Sequence, residues 1–224
     1  MSSLRVVSCA QHGEDLRLAR AFPGREGMYV DVGAASPWRF SVTKLFYDRG
    51  WSGINVEPSL YWWEELQAAR PRDVNLAVAI SDVSGEITLY DGRGDDALFA
   101  TVESVVAEEL ASGPRRVEPR TVPCITLAEL FCEHLPGRNV DFLKVDVEGH
   151  ESQVLAGNDW SLHRPRVLVV EAVLPSTEVP SYQRWEHILL DARYHLAAVD
   201  PINRFYVREE DERLAPALAA PVED

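Results

Sequence analysis

The chain has 224 residues, 46% of them hydrophobic, enough for one well-buried core but hardly for two full domains. Its formal net charge of −14 would repel a phosphate backbone, and no basic stripe gathers positive charge on one face, which argues against nucleic acid as a partner. No run approaches the roughly 20 apolar residues of a membrane-spanning helix, and "MSSLRVVSCAQHGEDLRLARAF" lacks the apolar stretch of a signal peptide, so a soluble, cytoplasmic protein without a membrane span is expected.

In chain order, the hydrophobic pattern predicts a helix over 13–21, a strand over 28–32, a helix over 41–48, a strand over 53–57, a helix over 60–69 and a strand over 74–79. "ISDVSGEITLYDGRGDDALFATV" then interrupts the alternation with an antiparallel excursion, the strand "EITLY" and a Gly/Asp-rich turn, an insertion of the kind that forms a lid or substrate wall. A helix over 127–134 follows, with Thr126 and Glu129 spaced for a capping box. Next come a strand over 141–146, a helix over 151–156, a strand over 167–171, a helix over 182–191, and strands over 195–199 and 204–207. The short "PIN" link forces the last two strands to pair antiparallel, because a parallel crossover needs a dozen or more residues. The alternation predicts an α/β fold with a mostly parallel sheet covered by helices on both faces, over residues 1–208 as one domain. Residues 209–224, acidic and then Ala/Pro-rich, read as a surface tail. Cys9, Cys124 and Cys132, odd in number and without C-x-x-C spacing, read as buried reduced thiols.

The first strand-to-helix loop lies where open parallel sheets bind ligands, at the carboxyl ends of the strands. In "YVDVGAASP" a dinucleotide fingerprint keeps a single glycine, Gly33, so a pyrophosphate is poorly supported. Glu57 closes the next strand, where a carboxylate can accept hydrogen bonds from both hydroxyls of a ribose. S-adenosylmethionine, with a ribose and an adenine but no diphosphate, needs that acidic strand end without the full glycine set. Asp31, inside an otherwise apolar strand, needs a partner if it is buried.

"AQHGEDL", "YVDVGAASPWRFSVTKLFYDRGWSGINVEP", "NLAVAISDVSGEITLY", "VPCITLAEL", "DFLKVDVEGHESQVLAGNDW" and "RPRVLVVEA" stand in an order that resembles the FkbM family of S-adenosylmethionine-dependent methyltransferases. The resemblance covers most of the chain and implies a class I methyltransferase, Rossmann-like fold. It implies further that Asp31, Gly33 and Ala34 surround the methionine part of the cofactor, that Glu57 takes the ribose, and that Ile80, Ser81 or Asp82 lies near adenine. Gln11 and Asp15 would close over the cofactor from the N-terminal side, although Cys9 and Ala10 depart from the family's pattern there.

Strand alternation in "FLKVDVEGHE" puts Lys144, Asp146 and Glu148 on one face, with Glu171 approaching from the end of the next strand. An acceptor hydroxyl must lose a proton to accept a methyl group. Asp146 can take it directly, or Asp146, Glu148 and Glu171 can hold a divalent cation such as Mg²⁺ that acidifies the hydroxyl. His150 and His187 are secondary candidates for the base. The expected function is O-methylation of a small hydroxylated molecule or glycoside, a sugar of a natural product or glycolipid foremost. The rivals are an NAD(P)-dependent oxidoreductase and a cofactor-binding module without turnover. Trp38, Trp51, Tyr61, Trp62, Trp63 and Trp160 offer surface to an apolar acceptor or to a second copy in a homodimer, though core packing is their default.

Overall fold

A computed structural model describes residues 7–24, 26–92, 98, 100–113 and 116–222. The Gly/Asp-rich turn anticipated in the insertion falls largely outside them. Seven strands form one sheet: β1 (Met28–Val32), β2 (Ser52–Val56), β3 (Val74–Leu76), β7 (Phe142–Val145), β8 (Val167–Glu171), β9 (Tyr194–Val199) and β10 (Asn203–Arg208), in the order β3-β2-β1-β7-β8-β10-β9. All run parallel except β10, which pairs antiparallel with both β8 and β9. The direction of strand order reverses between β1 and β7, so a crevice opens beyond their carboxyl ends. This is the mixed α/β, mostly parallel sheet that the alternation of elements implied, and it is Rossmann-like, as the resemblance implied.

Side-chain alternation splits the core in two. Val30, Val32, Leu143, Val145, Leu168 and Val170 face α5 (Leu127–His134), α6 (Glu151–Ala156) and α7 (Glu186–Asp191). Tyr29, Phe142, Val167, Val169, Phe205 and Val207 face the other way, onto α1 (Glu14–Ala21), α2 (Lys44–Asp48) and α8 (Ala215–Ala219). Every residue of β1, β7 and β8 is buried, which is why these strands, apart from Asp31, Lys144 and Glu171, read as apolar on both faces rather than as alternating. The capping box of α5 is present, with the Thr126 hydroxyl accepting from the Glu129 N–H and the Glu129 carboxylate from the Thr126 N–H. Thr126→Ala is expected to lower stability by about 1 kcal/mol, readable as a shift of the urea midpoint at constant slope.

The stretch expected as one strand over 74–79 is two: β3, and β4 (Ala79–Ser81), which turns away into a second sheet. There β6 (Glu118–Thr126) lies between β4 and β5 (Gly85–Asp91). Neither β6 nor α4 (Ser104–Ser112) was anticipated from the sequence. Pro119 and Pro123 argue against a strand, yet β4 pairs only with Cys124 to Thr126, so the prolines sit where β6 has a partner on one side alone.

The stretch from Glu209, expected as a surface tail, folds onto the body. A 3₁₀ segment, Glu209–Leu214, leads into α8, and Leu214 and Leu218 are buried beside Leu18 of α1. Arg17 donates to the Leu218 carbonyl at 2.8 Å, and Arg20 to those of Ala220 and Pro221 at 2.9 and 2.7 Å. Pro216 stands in the first turn of α8, where the N–H it lacks would have no helical partner. The three cysteines are free as expected, but only Cys124 is buried: Cys9 is half-buried and Cys132 exposed. Among the described residues no helix is long and apolar enough to cross a membrane.

Candidate active site

A cleft of about 240 Å³ opens beyond the carboxyl ends of β1, β2 and β7. Gln11, Gly33, Ala34, Glu57, Asp146 and Glu148, singled out from the sequence, all line it. Its floor is the turn after β1. Gly33 has φ +76° and packs so closely on the β7 end that a Cβ there would fall 1.8 Å from the Asp146 carbonyl oxygen. The N–H groups of Gly33 and Ala34 both donate to the Val56 carbonyl, which ties this turn to β2.

Glu57 is 4% exposed. One carboxylate oxygen accepts from the Ala35 N–H and the other from the Ser59 N–H, each at 2.8 Å. Burial pushes its carboxyl up and the two N–H donors pull it back, leaving a pKa of about 7. Each oxygen keeps a further lone pair for a ligand hydroxyl. Between 4.5 and about 7 the folded chain therefore binds more protons here than the unfolded one, and this group's contribution to stability falls as pH rises through that window.

Asp31 and Lys144 are register partners on β1 and β7 and lie on the α1 face of the sheet, where apolar neighbours would leave either charge stranded. Lys144 Nζ is 3.3 Å from Asp31 and 3.5 Å from Asp146, and it donates to the Gly33 carbonyl at 2.6 Å. Burial opposes the charge on Lys144, but Asp31 and Asp146 outweigh it and hold its pKa above the ordinary lysine range. Asp31 also accepts from the Thr43 hydroxyl at 2.9 Å. Its partners are thus structural ones beneath the turn, whereas the Asp146 side chain keeps 33% of its surface exposed in the cleft.

The loop after β7 is held by a carboxylate that the sequence reading passed over. Glu151, buried at the start of α6, accepts from the N–H groups of Val147 and Gly149 and so bends 147–149 over the cleft, with Glu148 at φ +53°. Burial raises the Glu151 carboxyl to about 7. Glu171 is buried outside the cleft lining, one of its oxygens lacking a hydrogen-bond partner. Burial, then Asp146, Glu148 and Glu151, hold its pKa well above the ordinary carboxylate range and favour its protonated form. Among the described residues no three His, Cys, Asp or Glu side chains are grouped to hold a metal ion.

Asp15 is fully buried and accepts from the Ser8 hydroxyl and the Cys9 N–H, at 2.6 and 2.8 Å. Glu14 accepts from the His12 N–H at 2.7 Å. Together they shape the N-terminal loop that brings Gln11 to the cleft. Ile80, Leu89, Leu98, Val102 and Val147 give the cleft an apolar slot, while Ser81 and Asp82 are not among its lining residues, Ser81 being bonded to the cleft residue His150 at 2.9 Å. His187 is exposed on α7. Of the aromatic residues, Trp51 and Trp62 are core, and the Trp63 indole N–H donates to the Asn75 carbonyl. Trp38 and Tyr61 are exposed. Arg39 and Phe40, which lacked any sequence signal, line the cleft mouth, Phe40 with φ +58°.

The model of the methyltransferase FkbM domain matches residues 31–196. No curated protein sequence matches the chain.

Proposed function

Because the chain belongs to the FkbM methyltransferase family, we propose that it transfers a methyl group from S-adenosylmethionine to a hydroxyl of a small molecule or glycoside, a sugar of a natural product or glycolipid foremost. The observation that supports this reading is one cleft bordered by Gly33, Glu57 and Asp146. The residues present fit the cofactor. The Gly33 turn has no room for a side chain, Glu57 has acceptor capacity for ribose hydroxyls, and the slot by Ile80 and Val147 suits a flat adenine. When bound, S-adenosylmethionine supplies a methyl group on a sulfonium, ready for displacement. Asp146, exposed in the cleft, takes the proton of the attacking hydroxyl, while Lys144 holds it in place from the strand below. A direct base is the simpler version here, since the carboxylates of the described residues are not grouped around a common centre.

Calorimetry with S-adenosylhomocysteine and with NAD tests the cofactor, and mass detection of a methyl gain on a panel of hydroxylated acceptors tests the reaction. Tight NAD binding with no response to S-adenosylhomocysteine would overturn the assignment. Glu57→Ala is expected to weaken S-adenosylhomocysteine by about 1–3 kcal/mol, the cost of hydrogen bonds to a charged group. Ribose hydroxyls donate to the carboxylate form of Glu57, so wild-type affinity should rise as pH climbs through about 7 and level off above it. Glu57→Gln should flatten that rise, and an equally steep profile in the variant would place the titrating group elsewhere.

A further inference from the structure

His150 joins three segments that are far apart in sequence. Its Nδ1 is 2.6 Å from Glu103 Oε1, and its Nε2 is 2.9 Å from Ser81 Oγ. Ser81 stands at the end of β4 and is 3.1 Å from Asp82. Glu103 precedes α4, in the inserted segment whose residues Leu98, Ala100, Thr101 and Val102 wall the cleft. That segment is fastened beside the histidine by a second link. Thr101 Oγ1 donates to the Glu148 carbonyl at 2.9 Å and accepts from the Glu103 N–H at 3.1 Å. His150, Ser81 and Thr101 are 7%, 4% and 1% exposed, so these contacts work with little competition from water.

The apolar slot beside Ile80 thus has two walls that do not share a strand. One wall is the β4 edge, and the other is the insertion, bridged to β5 through Tyr90 and Thr101. Apolar contacts alone leave the spacing of such walls loose, because they are not directional. An imidazole held on both nitrogens has a fixed ring orientation and a fixed reach. We infer that His150 is a positioning residue for the adenine ring: held by Glu103 on one nitrogen and Ser81 on the other, it sets the width of the slot between the β4 edge and the insertion. The inference rests on the cofactor reading above.

The test is calorimetry with S-adenosylhomocysteine and with 5′-methylthioadenosine, which keeps the adenine nucleoside but lacks the amino acid, alongside thermal melts as a control for folding. Wild-type protein should bind both. His150→Ala should weaken both by about tenfold, the size of two lost hydrogen bonds. Because a buried histidine can matter to folding, Glu103→Ala, whose side chain is 36% exposed, provides a second route and should weaken both by about threefold to tenfold. Glu103→Gln, which keeps an acceptor for the Nδ1 proton, should recover wild-type affinity within about twofold. The inference is overturned if folded His150→Ala and Glu103→Ala bind as tightly as wild type, or if Glu103→Gln is as weak as Glu103→Ala. In either case wild-type binding leaves the cofactor reading standing, whereas wild-type protein that binds neither ligand removes both.

Discussion

Gly33→Ala is expected to lower stability by about 4 kcal/mol or more and to abolish cofactor binding. The left-handed backbone at φ +76° costs a residue with a Cβ about 1–2 kcal/mol by itself. The larger part is steric. The new methyl would stand 1.8 Å from a backbone oxygen of Asp146, and backbone cannot rotate aside as a side chain can. Either the turn after β1 or the end of β7 has to shift. Both carry cleft residues, and the Lys144 bond to the Gly33 carbonyl would be strained by either movement. Chemical denaturation together with S-adenosylhomocysteine titration checks both effects. A variant with wild-type stability would show that the close approach of β1 and β7 is not maintained in solution.

Asp146→Asn should reduce turnover by about 10²- to 10⁴-fold, the range for loss of a general base, with S-adenosylhomocysteine affinity close to wild type. The separation follows from the environment of Lys144. Asp31 and the Gly33 carbonyl continue to hold the ammonium when the Asp146 charge is removed, so the turn beneath the cofactor keeps its shape. An amide of the same size can still accept the substrate hydroxyl's hydrogen bond but cannot take its proton. Measurement with and without EDTA divides the mechanisms: activity that survives chelation supports direct proton removal, while activity lost to EDTA and restored by Mg²⁺ supports a cation held at the acidic face. Wild-type rates from Asp146→Asn would take the residue out of the chemistry.

Much of the framework could be read from the sequence because it is local. The predominantly apolar runs of β1 and β8 coincide with the expected spans, and the three-residue spacing of Thr126 and Glu129 marks the start of α5. The positions of Glu57 and Asp146 at the cleft were legible for the same reason, since each directly follows a strand. What was missed depends on partners distant in sequence. A strand end alone does not tell Glu171, buried outside the lining, from Asp146, exposed in it. The pairing of His150 with Glu103 spans 47 residues and leaves no periodic trace. Pro119 and Pro123 argued against β6 because the one-sided pairing that tolerates them appears only once two sheets are assembled. The Ala/Pro composition after Leu214 likewise hid a helix whose docking depends on Leu218 finding α1.

That docking has a consequence for the order in which the molecule is completed during synthesis. The loop carrying Gln11 is made before the sheet, and α1 anchors it through Glu14 and Asp15, yet α1 packs on α8 and its arginines bond carbonyls at Leu218, Ala220 and Pro221. A nascent chain emerging from the ribosome can pair β1 with β2 early, but α1 has no complete seat until residues near 220 have cleared the exit tunnel. The N-terminal rim of the cleft is therefore among the last parts to settle. A ribosome stalled a few tens of residues beyond Val145 would display the floor of the site with that rim still open.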